Sequence, residues 1–290
     1  MTAFDISVGI DWSGARGQRQ RGIAVAECDP DGICKLVPPR GGGCWSRLGV
    51  LDHLGERPPG TLVGIDFAFS LPWPAGGPLP ETLEQPRNAR ELWRLVDERC
   101  RAEPHLYAGP AYRPYGGWLA DFMFTKLTGQ DLWRGAAYAA DRLRRTETAL
   151  KPRPNSVFKI VGARTVGPGS FSGMRLLSAL DRDLGSRLAV WPFDAAGKWL
   201  TLVEIYPSHY YRLAGHRRSL DPATVDTVLA HFDARRSSDQ PIASQDEADA
   251  LVAAAALRQL ARQPDAFRRP SGPGCEEGWI FGVPVPSPDP

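Results

Sequence analysis

Residues 6–10 (ISVGI) read as a short buried strand that ends on a carboxylate: Asp11 follows directly, before Trp12, Ser13 and Gly14 break the apolar run. Residues 22–28 (GIAVAEC) and 33–37 (ICKLV) repeat the strand pattern on either side of Asp29-Pro30-Asp31-Gly32, turn chemistry that predicts an antiparallel meander of three strands. Leu48, Leu51 and Leu54 at helical spacing predict a helix over residues 45–54, and residues 62–67 (LVGIDF) a fourth strand with Asp66 near its end. Residues 71–117 are dense in Pro, Gly and aromatics around one helical pattern at 88–101. Further helices are expected over 131–150 and over 173–184, the latter on a stripe of Leu176, Leu177, Leu180 and Leu184. Strands return at 188–193 and 199–206, flanking the hairpin signal from Asp194 to Gly197, and the second carries Glu204 close to its end. Ser244-Gln245-Asp246-Glu247 is a capping box that opens an alanine-rich helix reaching about residue 262. Its small residues suit close packing on a sheet.

These elements predict a single α/β domain over residues 1–290, with a core of about 5–70 and 188–283 and an insertion of about 71–186. So long a stretch of partly irregular chain points to a lid or binding insertion. The 42% hydrophobic content is enough for a large core, and 35 basic against 33 acidic residues leave a net charge of +2. No global field therefore draws nucleic acid or an anionic membrane, and such a partner has to be held locally. Residues 1–5 lack the pattern of a signal peptide and no run of about 18 apolar residues reads as a membrane span, so a cytoplasmic protein without a membrane partner is expected. The five cysteines are scattered without a CxxC pair, which predicts ordinary thiols rather than disulfides or a structural zinc site.

Four separated segments each deliver an acid at a strand end or helix start: Asp11, Asp66, Glu204, and the pair Asp246 and Asp249, which share a helix face. Taken singly, Asp11 also suits a turn, Asp246 a first helical turn favoured by the macrodipole, and Glu204 a solvent-facing strand position. If the strands are neighbours and the helix crosses them, the acids converge. Buried like charges call for a counter-ion, and a hard divalent cation, Mg²⁺ or Mn²⁺, is the expected cofactor. Two such ions about 3.5–4 Å apart activate water and stabilise a leaving oxygen in phosphodiester chemistry. All five acids are accordingly candidate catalytic residues, with Asp11, Asp66, Glu204 and Asp249 as the metal ligands.

The succession of meander, helix, acid-tipped strand, further strand and DxxD helix is similar to the ribonuclease H fold. More closely, VGIDWSG, VGIDFAFSLP, RRTE, SVFKIVGARTVGPGSFSGM, VWPFD, VEIYPS, DEADALVAA and EGWIFGV resemble the predicted RNase H-like nucleases of domain of unknown function family 429, over nearly the whole chain. The resemblance implies an RNase H-like mixed five-stranded sheet flanked by helices, with the insertion between the fourth and fifth core strands. It also implies a metal-dependent nuclease acting on DNA or RNA.

Arg142, Arg144, Arg145, Lys151, Arg153, Lys159 and Arg164 form a basic stretch, and residues 162–173 read as a Gly/Ser-rich loop able to offer N–H groups to phosphates. Arg144, Arg145, Glu147, Lys159 and Ser170 are the candidate substrate-binding residues. Tyr107, Tyr112, Tyr115 and Trp118 are candidates for stacking on bases, with packing of the insertion as the alternative. His209 reads as a structural histidine in preference to a proton carrier. Two rival functions stay open: a nucleotide-binding phosphotransferase of the actin and sugar-kinase type, for which DWSG would serve as a phosphate loop, and a catalytically silent nucleic-acid-binding protein of the same fold. No glycine follows Asp66, and the strand-helix core occurs once, which both weigh against the phosphotransferase.

Overall fold

The computed structural model describes residues 4–74, 77–79, 83–112, 143–160, 165–197, 199–237, 241–272 and 275–286. Its strands are β1 (Ile6–Asp11), β2 (Ala24–Cys28), β3 (Ile33–Leu36), β4 (Thr61–Ile65), β5 (Leu188–Val190), β6 (Leu200–Glu204) and β7 (Arg235–Arg236). They form one mixed sheet of seven strands in the order β5-β6-β4-β1-β2-β3-β7, rather than the five expected. β1, β2 and β3 make the antiparallel meander, and the other pairings are parallel.

β5 is one source of the difference. It pairs in parallel with β6, Leu188 opposite Leu200, so the expected hairpin does not form. The strand stops at Val190, where Asp194 ties the turn by accepting from the Val190 N–H at 2.8 Å. Residues 191–199 then carry the chain back to the starting end, a span too long for a two-residue hairpin turn. β7, the other addition, is only two residues long at the far edge.

The helices are α1 (Arg47–Gly55), α2 (Ala89–Arg99), α3 (Gly109–Tyr112), α4 (Arg145–Thr148), α5 (Gly167–Leu184), α6 (Pro207–Leu213), α7 (Pro222–His231) and α8 (Gln245–Leu260). Among the described residues none is long and apolar enough to cross a membrane. Of the helix expected over 131–150, residues 131–142 lie outside the described residues, as do Tyr115, Trp118, Gly162 and Arg164. α1, α2 and α5 pack on the sheet face that presents Val8, Ile10, Val63 and Ile65. α6, α7 and α8 cover the opposite face, with Leu62, Val203 and Ile205. The segment expected as an insertion thus supplies α2 and α5, which join α1 in one of the two helical layers.

Two close approaches decide where the acids go. A Cβ on Gly9 would stand 2.3 Å from the Ala250 carbonyl oxygen and 2.6 Å from the Ala254 nitrogen, so glycine in β1 and alanine in α8 let helix backbone lie directly on strand backbone. That contact brings the first turns of α8 to the end of β1. Gly9→Val is expected to cost about 1–3 kcal/mol by forcing the helix away. Urea unfolding measures it, and a variant as stable as the parent would mean that α8 does not bear on β1 in this way.

The second concerns α5, which starts at Gly167, with Pro168 in its first turn, so that residues 167–173 of the expected Gly/Ser-rich loop are helix. Gly167 and Gly173 within it, and Gly14 against its first turn, serve packing. A Cβ on Gly173 would meet the Phe67 ring at 2.4 Å, one on Gly167 the Val157 carbonyl at 2.6 Å, and one on Gly14 the Pro168 carbonyl oxygen at 2.1 Å.

Candidate active site

The parallel strands β1, β4 and β6 are adjacent and end at one edge of the sheet, with Ile10, Ile65 and Glu204 in register. Asp11 and Asp66 each stand one residue further on, where the Asp66 N–H continues the ladder to the Ile10 carbonyl at 3.0 Å. Alternation along a strand then separates the acids. Gly9 faces α8, so Asp11 and its neighbour Asp66 face α8 too, towards Asp246 and Asp249. Glu204 shares its face with Ile10 and Ile65, on the other side of the pleat.

There Glu204 has partners of its own. Arg144, 1% exposed, donates to Glu204 Oε2 from Nη1 at 2.7 Å and to Glu147 Oε1 from Nε and Nη2 at 3.0 and 2.8 Å. The Phe69 N–H donates to Glu204 Oε2 at 3.0 Å. Burial alone would lower the Arg144 pKa, but Glu147 and Glu204 outweigh it and raise the value. Burial raises the Glu147 carboxyl, against the pull of Arg144. The C-terminal segment closes this knot: Ile280 bridges to Glu204, and buried Glu277 accepts the N–H groups of Trp73 and Arg145 at 2.9 and 2.7 Å.

The α8-facing acids carry little compensation. Burial, then Asp66, Asp249 and Asp246, raise the Asp11 carboxyl well above its ordinary range, with Arg218 opposing. Among the described residues buried Asp11 Oδ2 has no hydrogen-bond partner. Asp66 is pushed up to about 8 by burial and then by Asp249, with Glu204 and Asp246 adding and Arg218 opposing. Burial also raises Asp246 and Asp249. Asp249 is the best compensated: it pairs with Arg218 and accepts from Gln245 Nε2 at 2.8 Å. Arg218, in the loop between α6 and α7, also lies 3.7 Å from Asp11 Oδ2. Ser244 caps α8 at the Glu247 N–H (3.2 Å), while the Glu247 carboxylate reaches the Ala243 N–H instead of closing the expected box.

A cleft of about 640 Å³ opens over this edge, lined by Asp66, Asp249 and Glu204 together with Arg144, Arg212, Arg217 and Arg218. Trp12 walls it, held by its indole N–H to the Gly169 carbonyl and Ser172 Oγ, both at 3.1 Å, and packed on Phe67. Behind it the fully buried Arg47 donates to the carbonyls of Ser13, Ala15 and Gly17, which fixes the turn after Asp11.

The expected substrate-binding residues occupy varied places. Arg144 lines the cleft, but its guanidinium is committed to two glutamates. Arg145 lies over the Trp279 ring and donates to the Ser271 carbonyl. Glu147 lines the cleft beside Arg144. Lys159 reaches Asn155 Oδ1 at 3.2 Å. Ser170 is fully buried, donating to the Val166 carbonyl and accepting the Ala68 N–H, so its hydroxyl links α5 to the chain after β4. Tyr112 is buried against Phe171, and His209 sits at 3.3 Å from the Gly282 carbonyl, its pKa lowered by burial.

Sequence reasoning missed Arg212, Arg217 and Arg218. The signal was available: a set of acids at one sheet edge needs a cation, and the Arg-rich stretch that follows the strand ending at Glu204 supplies one.

For a hard divalent cation the donor set is chemically suitable, being all carboxylate, undercompensated, and holding an orphaned oxygen on Asp11. The geometry is not that of a loaded site. Among the described residues no three acids, histidines or cysteines are placed to hold one ion, and Arg218 stands among the carboxylates. No family model, curated protein or solved structure matches the chain.

Proposed function

We propose that this chain is a metal-dependent phosphodiesterase acting on nucleic acid, built on a ribonuclease H-like core and related to the family its motifs resemble. The observation that carries the reading is the group Asp11, Asp66, Asp246 and Asp249, gathered from two adjacent strands and one helix, with proton affinities raised by burial and by one another. Raised carboxylates beside a cleft are the electrostatic mark of a site built for charge that arrives from outside. The chain order of meander, α1, acid-tipped β4, β6 and α8 supports the same core.

Asp11, Asp66 and Asp249 would hold Mg²⁺ or Mn²⁺, with Asp246 beside them and Glu204 retained by Arg144. Bound there, such ions supply an activated water and charge stabilisation on the leaving oxygen. The chain itself holds a proton on Asp66 near neutral pH, which a cation held there would displace. Arg218, paired with Asp249, would have to give up that carboxylate to the ion.

The deciding experiment incubates the protein with labelled single-stranded and duplex DNA, RNA and RNA–DNA hybrid, with Mg²⁺, Mn²⁺ or chelator. Metal-dependent cleavage that disappears in Asp66→Asn is the expected result. Calorimetric titration of metal with and without ATP separates the rivals, because a phosphotransferase requires the nucleotide and a silent binding protein takes up neither. The phosphotransferase has little support, since Asp66 is followed by the packed core residues Phe67, Ala68 and Phe69.

Arg218→Gln tests the displacement. In chelator it is expected to melt about 2–4 °C lower, the loss of an ion pair worth about 1 kcal/mol whose arginine is 44% exposed. The rise on adding Mn²⁺ should be larger than the parent's, because no arginine has to be expelled. An equal rise in both proteins would show that Arg218 does not compete with the cation.

A further inference from the structure

Among the described residues, most arginines away from solvent have carboxylate partners or a set of carbonyls. Arg90 pairs with Asp181 and Asp194, Arg175 with Asp97, Arg57 with Glu27, and Arg47 caps four carbonyls. Arg212 has no such partner among the described residues, and unlike Arg57, whose Nε is also unpartnered, it has no carboxylate to pair with. It is half-buried on α6 and lines the acid-edged cleft. Among the described residues its buried Nη2 has no hydrogen-bond partner. Its guanidinium is held over the Tyr206 ring, 5.4 Å from the centroid, and Tyr206 lines the cleft as well. Arg217, exposed in the following loop and also lining the cleft, forms no ion pair among the described residues.

A buried guanidinium nitrogen without an acceptor is destabilising, so its presence needs an explanation. Stacking on Tyr206 fixes the planar fork in advance, which reduces the ordering cost of binding. A rigid fork of N–H donors, with a second arginine of the same cleft that is unpaired among the described residues, matches the oxygens of a phosphate group. Cleft hydroxyls on Ser208 and Thr165 offer further donors.

We infer that Arg212 and Arg217 are the phosphate-holding residues of this cleft, taking the place expected for Arg144 and Arg145. The inference deepens the proposed function and rests on it for the source of the phosphate, a nucleic-acid backbone. The arginines hold the anion while the α8-facing acids hold the cation.

The test titrates fluorescently labelled single-stranded DNA and RNA oligonucleotides in chelator over a range of salt, and separately inorganic pyrophosphate by calorimetry. Arg217→Ala alters an exposed side chain and leaves the core intact, whereas Arg212→Gln keeps the stem on Tyr206; melting curves confirm that both are folded. Each substitution is expected to weaken oligonucleotide binding about tenfold and to make the slope of log K against log salt shallower by about 0.7. Pyrophosphate binding should weaken likewise, and Lys35→Ala, an exposed control on β3, should change neither.

Oligonucleotide binding with unchanged affinity and slope in both variants overturns the inference and leaves the nuclease reading standing. Pyrophosphate binding that the variants lose, with no oligonucleotide binding by the parent, upholds the phosphate site and overturns nucleic acid as its source. A parent that binds neither overturns both.

Discussion

Arg144→Ala is expected to lose about 3–5 kcal/mol of stability at pH 8, because it leaves two buried carboxylates without their cation. Arg144 is 1% exposed and serves Glu147 and Glu204 together, while its Nη1 also reaches the Glu277 carbonyl at 3.1 Å. In the variant nothing replaces those bonds. The Glu147 carboxyl, already raised by burial and now without the opposing pull of Arg144, then has a folded-state proton affinity still further above the unfolded value. Stability held in this way is fully present below the unfolded pKa and is lost as pH rises through the folded one. The deficit against the parent should therefore shrink on going from pH 8 to pH 5. Urea unfolding at both values measures it, and a loss under about 1 kcal/mol, or one independent of pH, would contradict the buried network. Arg145→Ala should cost about 1 kcal/mol, since the guanidinium lies partly exposed over the Trp279 ring and donates to the Ser271 carbonyl rather than neutralising a buried carboxylate.

The contrast between these neighbouring arginines shows where sequence reading stops. RRTE reads as part of a basic stretch, and nothing local distinguishes Arg144 from Arg145. What buries Arg144 is the segment around residues 275–283, more than 130 positions away, folding against β6. Glu204 was out of reach for a different reason. β6 is covered by helices on both faces, so all five of its residues are buried and no polar alternation reveals which way each points. The acid is legible as an acid near a strand end, but its face is not. By contrast the meander, the acid-tipped strands and the close-packed α8 were readable, because turn chemistry, apolar runs and a string of alanines are local signals. Glycines in α5 misled in the opposite sense: they read as a phosphate loop, whereas they make room for Phe67 and Val157. The hairpin signal at Asp194 to Gly197 was real turn chemistry used inside a longer connection that returns the chain for parallel pairing.

Why a buried strand should end on a carboxylate becomes a measurement at its partner, Asp66. The Asp66 pKa is pushed up to about 8, against about 3.9 in an unfolded chain, so the metal-free folded protein binds a proton there that the unfolded chain has given up. That contribution is complete below about pH 4 and disappears as pH rises through 8. Asp66→Asn keeps the shape and stays neutral throughout. In chelator the two proteins should therefore be nearly equally stable at pH 5, with the variant ahead by about 2 kcal/mol at pH 9, a discounted figure because Asp11, Asp66 and Asp249 titrate as a set. Asp249 is less suited to the test, since Arg218 and Gln245 already compensate it. Excess Mn²⁺ should reverse the order. At a hundred times its dissociation constant a cation stabilises the parent by about 2.7 kcal/mol, more strongly as pH rises and the Asp66 proton leaves, while the variant gains much less. An aspartate that merely packs at a strand end predicts the opposite pattern: the variant loses hydrogen bonds, is less stable at every pH, and responds to Mn²⁺ as the parent does. Unfolding curves for both proteins at pH 5, 7 and 9, in chelator and in Mn²⁺, decide between the two, and parallel curves would remove Asp66 from any cation site.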